Sequence, residues 1–156
     1  MGFMRVIVFV FFTTTWLSAE HAMSDDGLIT LRSSFGPEET MIRFEAEVRA
    51  RAMTIFAHID HAAGAAAVGL HLRPTDLLIF GAAKGGTPLM HSMQTIGIDL
   101  PLKALVWQDE AGNTFLSYND LAYVAHRHGV GESAKPAIEA MSSALKEMAE
   151  KSTTIR

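Results

Sequence analysis

The period of the apolar positions changes several times along the chain, and each change marks an element. Gly27 to Ser34 (Gly-Leu-Ile-Thr-Leu-Arg-Ser-Ser) is a short β-prone run that ends on two serines, so a strand is predicted. Gly36-Pro37-Glu38-Glu39 reads as a helix start. Proline suits the first helical position, and two acids lie where the helix dipole favours negative charge. Met41, Phe44, Val48 and Ala52 then recur at spacings of three and four, which makes one apolar stripe on a helix ending near Ala52. Glu45–Arg49 and Glu47–Arg51 are i,i+4 pairs on its wet side.

From Met53 to Asp60 the residues turn β-branched and aromatic. A strand is predicted, with Met53, Ile55, Ala57 and Ile59 on one face and His58 with Asp60 on the other. The alanine-rich run His61–Gly69 predicts a short irregular helix ended by Gly69, and Pro74 breaks the chain before a strand over Asp76–Phe80. A helix over Pro88–Thr95 is predicted to end at Gly97, and Pro101 precedes a strand over Leu102–Gln108. Asp109-Glu110-Ala111-Gly112-Asn113 is a polar turn between apolar runs, the mark of a hairpin whose second strand is Thr114–Tyr118. Asn119-Asp120 can cap a helix over Leu121–His126. Gly129-Val130-Gly131 reads as a hinge before a last helix over Pro136–Glu150, striped by Ile138, Met141, Leu145 and Met148.

The order predicts an α+β fold, a mainly antiparallel sheet with helices packed on one face. The regular strand–helix alternation of a doubly wound sheet is missing. Three segments are expected: a signal peptide over residues 1–22, an α+β domain over 23–131, and a C-terminal amphipathic helix and tail over 132–156.

The signal reading rests on Arg5, followed by the apolar run Val6–Phe12 and its extension Trp16-Leu17. That stretch is too short to span a bilayer, which needs about 20 residues, and it has the grammar of an export signal cleaved after Ala19 or Ala22. A periplasmic or secreted location follows, with no membrane association after cleavage. If Met23 is instead the true start, the protein is cytoplasmic. Composition sharpens the picture in two places. Among 156 residues there is no cysteine, which removes disulfides, thiolate metal sites and cysteine nucleophiles. The formal net charge is −4 and no basic run occurs, so no nucleic-acid partner is expected.

The richest candidate chemistry lies in Leu77–Met90. Apolar residues end on Gly81, a loop carries Lys84, Gly85 and Gly86, and Thr87-Pro88 starts a helix. Free N–H groups at a helix start, plus one lysine, can hold a carboxylate or phosphate. A P-loop is excluded, because its lysine follows the glycines and here Lys84 precedes them. The alternative is a tight connection whose glycines serve only the backbone. Upstream, Asp60 and His61 form a polar bend, and His58 with Asp60 on one strand face invites a metal reading that needs further converging ligands such as His126 or His128. A structural reading makes Asp60 a helix cap. Ser117 or Thr87 could serve as a nucleophile beside Asp60-His61, but no nucleophile elbow is present. Trp107, Phe115 and Tyr118 either line a pocket or pair across strands.

Six segments, Ile59-Asp60-His61, Leu72-Arg73-Pro74-Thr75, Leu78-Ile79-Phe80-Gly81, Gly86-Thr87-Pro88-Leu89-Met90, Asp99-Leu100-Pro101-Leu102-Lys103 and Ser117-Tyr118-Asn119, occur in an order that resembles the bacterial family called domain of unknown function 302. The similarity runs from about Gly27 to Gly129. It implies a β-α-β(4)-α fold of TATA-box-binding-protein-like topology and implies no activity. The loop after Phe80-Gly81 commonly carries Asn-Pro in that family and is Ala82-Ala83 here, and the last helix is expected to lie beyond the family core.

The expectation is therefore an exported domain that binds a small anionic ligand or a protein partner. Lys84 would supply charge, Gly85, Gly86 and Thr87 backbone donors, and Asp60 with His61 the orienting groups. No cofactor and no metal is expected. A hydrolase or metal-assisted enzyme built on Asp60 and His61 is the second reading. A structural module, whose last helix pairs two chains into a homodimer, is the third.

Overall fold

Alternating burial along five strands produces a sheet with one face covered by helices. In the computed structural model, which describes residues 22–23 and 26–155, the strands are β1 (Ala22–Met23), β2 (Leu28–Arg32), β3 (Thr54–Asp60), β4 (Thr75–Gly81), β5 (Leu102–Gln108) and β6 (Thr114–Asn119). They form one antiparallel sheet in the order β1-β2-β6-β5-β4-β3. The helices are α1 (Pro37–Ala50), α2 (His61–Ala67), α3 (Ala83–Ser92), α4 (Leu121–His128) and α5 (Lys135–Thr153), with short 3-10 turns at Gln94–Ile98 and Glu132–Ala134. Leaving aside the edge strand β1 and the short helices, the order is the expected β-α-β(4)-α. The segment read as a signal peptide lies almost wholly outside the described residues.

Cross-strand partners share a face. The row Ile29, Tyr118, Ala104, Leu78 and the row Leu31, Leu116, Val106 point to the helices. There they meet Met41, Phe44 and Val48 of α1 and Leu145, Met148 and Ala149 of α5 in one core. Phe44 meets Phe80 edge-on at 5.3 Å between ring centres, an arrangement favoured by the aromatic quadrupole.

Four expectations are corrected here. First, α5 is not an appendage beginning at 132. It packs on α1 and buries Leu145, Met148 and Ala149, so its apolar stripe is spent within the fold. Second, β1 pairs Ala22 with Thr30 and Met23 with Ile29, so the sheet crosses the boundary expected between 22 and 23.

Third, the stretch read as a Gly81–Thr87 loop is helix from Ala83, which places Pro88 inside α3 rather than at its start. Neither Gly85 nor Gly86 has positive φ. Gly85 instead permits close packing, since a β-carbon there would stand 3.1 Å from Sδ of Met141 on α5. Fourth, β3 carries a bulge at Phe56, where the register shifts between Ile55 and Ala57. An extra residue reverses the alternation beyond it. Ile55 therefore faces the helices with its partner Phe80, whereas Ala57 and Ile59 face away with Ile79 and Leu77.

Candidate functional site

The same bulge places the candidate chemistry. With Phe56 absorbing one position, His58 and Asp60 lie on the helix-covered face, opposite Leu78 and Asp76. At this end of the sheet the N-terminal half of α1 stands over β3 and β4 and leaves a cavity of about 520 Å³. Pro37, Met41, Ile42 and Pro74 are its apolar lining; Glu38, Glu45, His58, Asp60 and Asp76 are its polar lining.

His58 bridges two of the acids. Its Nε2 lies 3.1 Å from Oδ1 of Asp76, and its Nδ1 lies 3.3 Å from Oε1 of Glu45. A neutral imidazole has one N–H to donate, so it can serve only one of these carboxylates as a donor at a time. Glu45 is also held by Arg49 at 2.8 Å. Asp60 caps α2, where its Oδ1 accepts from the Ala63 N–H at 2.7 Å. That leaves its second oxygen outside the cap bond. Asp60 and Asp76 are direct ladder partners, a like-charge pairing that costs stability in a sheet. No lysine or arginine lines the cavity.

The sequence-predicted site residues do not assemble. Asp60 stands at the Asp76 end of the β3–β4 pair, while Gly81, which leads into Lys84, stands at the Thr54 end. Six residue steps separate those ends, about 20 Å along the strand. The expected backbone donors are engaged as well. The N–H groups of Gly85 and Gly86 both bond to the carbonyl of Ala82, at 3.0 and 3.2 Å, and Thr87 lies within α3. His61 is exposed at the start of α2.

A hydrolase arrangement does not form around Asp60-His61. Oγ of Ser117 lies on the opposite face of the sheet, receives Trp107 Nε1 at 2.9 Å and pairs with the Thr30 hydroxyl at 2.8 Å. Trp107 and Phe115 stack on that open face at 4.7 Å, while Tyr118 is buried on the helix face, so the three aromatics line no common pocket. Burial, with smaller contributions from Glu150 and Asp120, pushes the Tyr118 hydroxyl up to about 12. Among the described residues no three His, Asp or Glu side chains are grouped as a metal ion needs.

One cluster was missed in the sequence. Nε2 of His128 lies 2.6 Å from Oδ2 of Asp99, its Nδ1 lies 3.1 Å from the Thr95 hydroxyl, and Arg127 approaches the same carboxylate at 3.7 Å. The neighbouring hollow, lined in part by Asp99, Lys103 and Asn119, holds only about 10 Å³. That is scarcely room for one water. The cluster ties the end of α4 to the 3-10 turn. Only the polar spacing of Thr95, Asp99 and His128 signalled it, and contact across about 30 residues cannot be read from spacing.

Comparison with known proteins identifies the family and the fold. The family model described as "Domain of unknown function DUF302" matches residues 29–148. The chain belongs to that family. The match takes in most of α5, so the last helix is part of the DUF302 domain and not an extension of it. A solved relative is the uncharacterized conserved DUF302 protein from Bacillus stearothermophilus, with a TM-score of 0.72 and 17% identity over 80% of this chain and 97% of that one. At that identity the likeness is one of fold. Two curated relatives are named fluoride-specific ion channel FluC 1, from Brucella suis and Brucella abortus. Both are 45% identical over 117 residues, or 75% of this chain. The chain spans less than half of their length, 46% and 43%. No helix among the described residues is long and apolar enough to cross a membrane.

Proposed function

We propose that this DUF302 domain is a binding domain whose ligand is a small cation with an aliphatic body, such as an alkylamine or a guanidinium compound. The cavity beneath α1 carries the reading: four carboxylates stand around an apolar lining with no lysine or arginine. The apolar wall suits a methylene chain, and the free carboxylate oxygens suit its charged head. This replaces the anion expected from Lys84, because the donors that would have held an anion are spent inside α3. Among the described lining residues there is no serine, threonine or cysteine, and the reading is one of binding. Its export rests on Arg5 and the apolar run after it, and intact-mass measurement of periplasmic protein tests that part.

Thermal shift and calorimetry with putrescine, agmatine and spermidine, against phosphate and acetate, test the binding. The amines should stabilise the protein saturably, and the double substitution Glu45→Gln, Asp76→Asn should abolish the effect. Stabilisation by phosphate alone, lost in Lys84→Ala, would return the site to α3.

A second reading follows from the Brucella relatives. A stretch 45% identical to this chain occurs within proteins named fluoride channels, so we propose that the domain works beside such a channel. Co-purification of the tagged domain with a FluC channel, together with altered fluoride tolerance in a deletion strain, is the expected outcome.

A further inference from the structure

Away from the cavity, the His128 ring is wedged between a hydroxyl and a carboxylate. His128 is the last residue of α4, which Gly129 ends in the left-handed region at φ 68°. The ring meets the 3-10 turn Gln94–Ile98, in which Thr95 is the second residue and which Asp99 follows. Nε2 lies 2.6 Å from Oδ2 of Asp99, and Nδ1 lies 3.1 Å from Oγ1 of Thr95. A carboxylate can only accept, so the ring proton sits on Nε2. Nδ1 of the neutral ring then carries the lone pair, and the Thr95 hydroxyl donates to it. The His128 side chain is only 10% exposed, whereas Thr95 is open to water. The bond to Asp99 is enough to tie α4 to the turn. An exposed hydroxyl gains little from a second bond that water would serve as well. Nucleophile, base and orienting acid stand in the sequence that acyl transfer uses, with the hydroxyl outermost.

We propose that Thr95 is a nucleophile toward short-chain carboxylic esters, with His128 as its general base and Asp99 as the residue that positions the ring. Side chains three apart on a 3-10 turn eclipse one another. Ile98, 77% exposed, therefore stands on the same side as Thr95 and offers an apolar surface to an alkyl acyl group. The hollow beside Asp99 holds only about 10 Å³, too little for a long chain. Oγ1 of Thr95 attacks the ester carbonyl and its proton passes to Nδ1 of His128. The bond from the acyl carbon to the alcohol oxygen breaks, and the departing alcohol takes that proton. Water then attacks the acyl-Thr95 ester and gives a proton to Nδ1. The carboxylic acid leaves as Oγ1 recovers the proton, so ester and water become acid and alcohol with no other reactant.

Hydrolysis of p-nitrophenyl acetate by the full chain tests this, with peptide mass spectrometry after an acid quench. The wild type should release nitrophenol and carry an acetyl group on Thr95. Thr95→Val should lower the rate at least about 100-fold, the lower end of what a positioned general base contributes, and Thr95→Ser should restore it. Both replacements sit at an exposed position, and their circular dichroism spectra should match the wild type. Asp99→Asn can donate its amide N–H to Nε2, which moves the ring proton to Nδ1, so kcat should fall while KM holds. His126→Gln, which removes an exposed imidazole on the same helix, should leave the rate unchanged. A wild type no faster than Thr95→Val overturns the proposal. So does acetyl found only on lysine or on His126, or a kcat unmoved in Asp99→Asn.

Discussion

Replacing Gly86 by alanine should make the protein more stable, and that outcome decides whether the glycine pair serves helix packing or an anion-binding loop. Gly86 lies in the α3 helix with an ordinary negative φ. Glycine in a helix is less favourable than alanine by about 0.8–1 kcal/mol. A β-carbon at 86 would meet Leu100 Cδ1 at 3.4 Å and Met90 Cε at 3.8 Å, both ordinary contacts. Nothing has to move, so Gly86→Ala should gain about 0.5–1 kcal/mol, a rise in Tm of about 1–4 °C for a chain of this size. Gly85 differs by its neighbour. Its β-carbon would stand 3.1 Å from Sδ and 3.4 Å from Cγ of Met141. Displacing that flexible side chain from its rotamer costs about 0.5–1.5 kcal/mol, which offsets the helix gain, so Gly85→Ala should be neutral or slightly destabilising. Urea unfolding followed by circular dichroism resolves a difference of this size. A loss of more than about 1 kcal/mol in Gly86→Ala, with Gly85→Ala the more stable of the two, would refute the helix assignment and the packing argument together.

Phe80→Ala removes a fully buried ring that meets Phe44 edge-on, and should cost about 3–5 kcal/mol in the same melts. Asp60→Ala deletes the cap bond to Ala63, worth about 1 kcal/mol to helix α2. Because α2 buries no residue, the loss should show as faster amide exchange in residues 61–67 with little change in Tm. Tyr118 gives a pH signature. Its hydroxyl titrates at about 12 when folded, above its ordinary value of 10.0. Stability should therefore be intact below pH 10 and should fall by about 2–3 kcal/mol as the pH rises to 12, a loss that Tyr118→Phe should reduce.

Local chemistry carried most of the elements. Pro37 with its two acids started α1 where expected, and the stripe of Met41, Phe44 and Val48 is the face that α1 buries. The polar turn at 109–113 joined the β5–β6 hairpin, and Asp120 capped α4 with its Oδ1 on the Ala122 N–H at 3.0 Å. Six short segments were enough to suggest the family; five include a strand end or a turn, and the sixth, Gly86–Met90, lies inside α3. Leu77–Met90 misled because glycine followed by Thr-Pro punctuates loops more often than helices. Only the proximity of Met141, more than fifty residues away, shows what the small residue at Gly85 accommodates inside α3.

Residues close together along the chain set the α+β class, the order of the principal strands and helices, and the apolar stripes that form the core. These depend on interactions a few residues apart, whose periods and caps are written in the chain. Tertiary structure decided the site. One bulged residue, Phe56, turns His58 and Asp60 toward α1 and sends Ile59 to the open face. The antiparallel pairing of β3 with β4 then holds Asp60 and Lys84 at opposite ends of the sheet. A bulge is chosen by how a strand fits its partner, and the distance between two residues depends on register. Both are properties of the paired strands, so neither could be read from one strand alone.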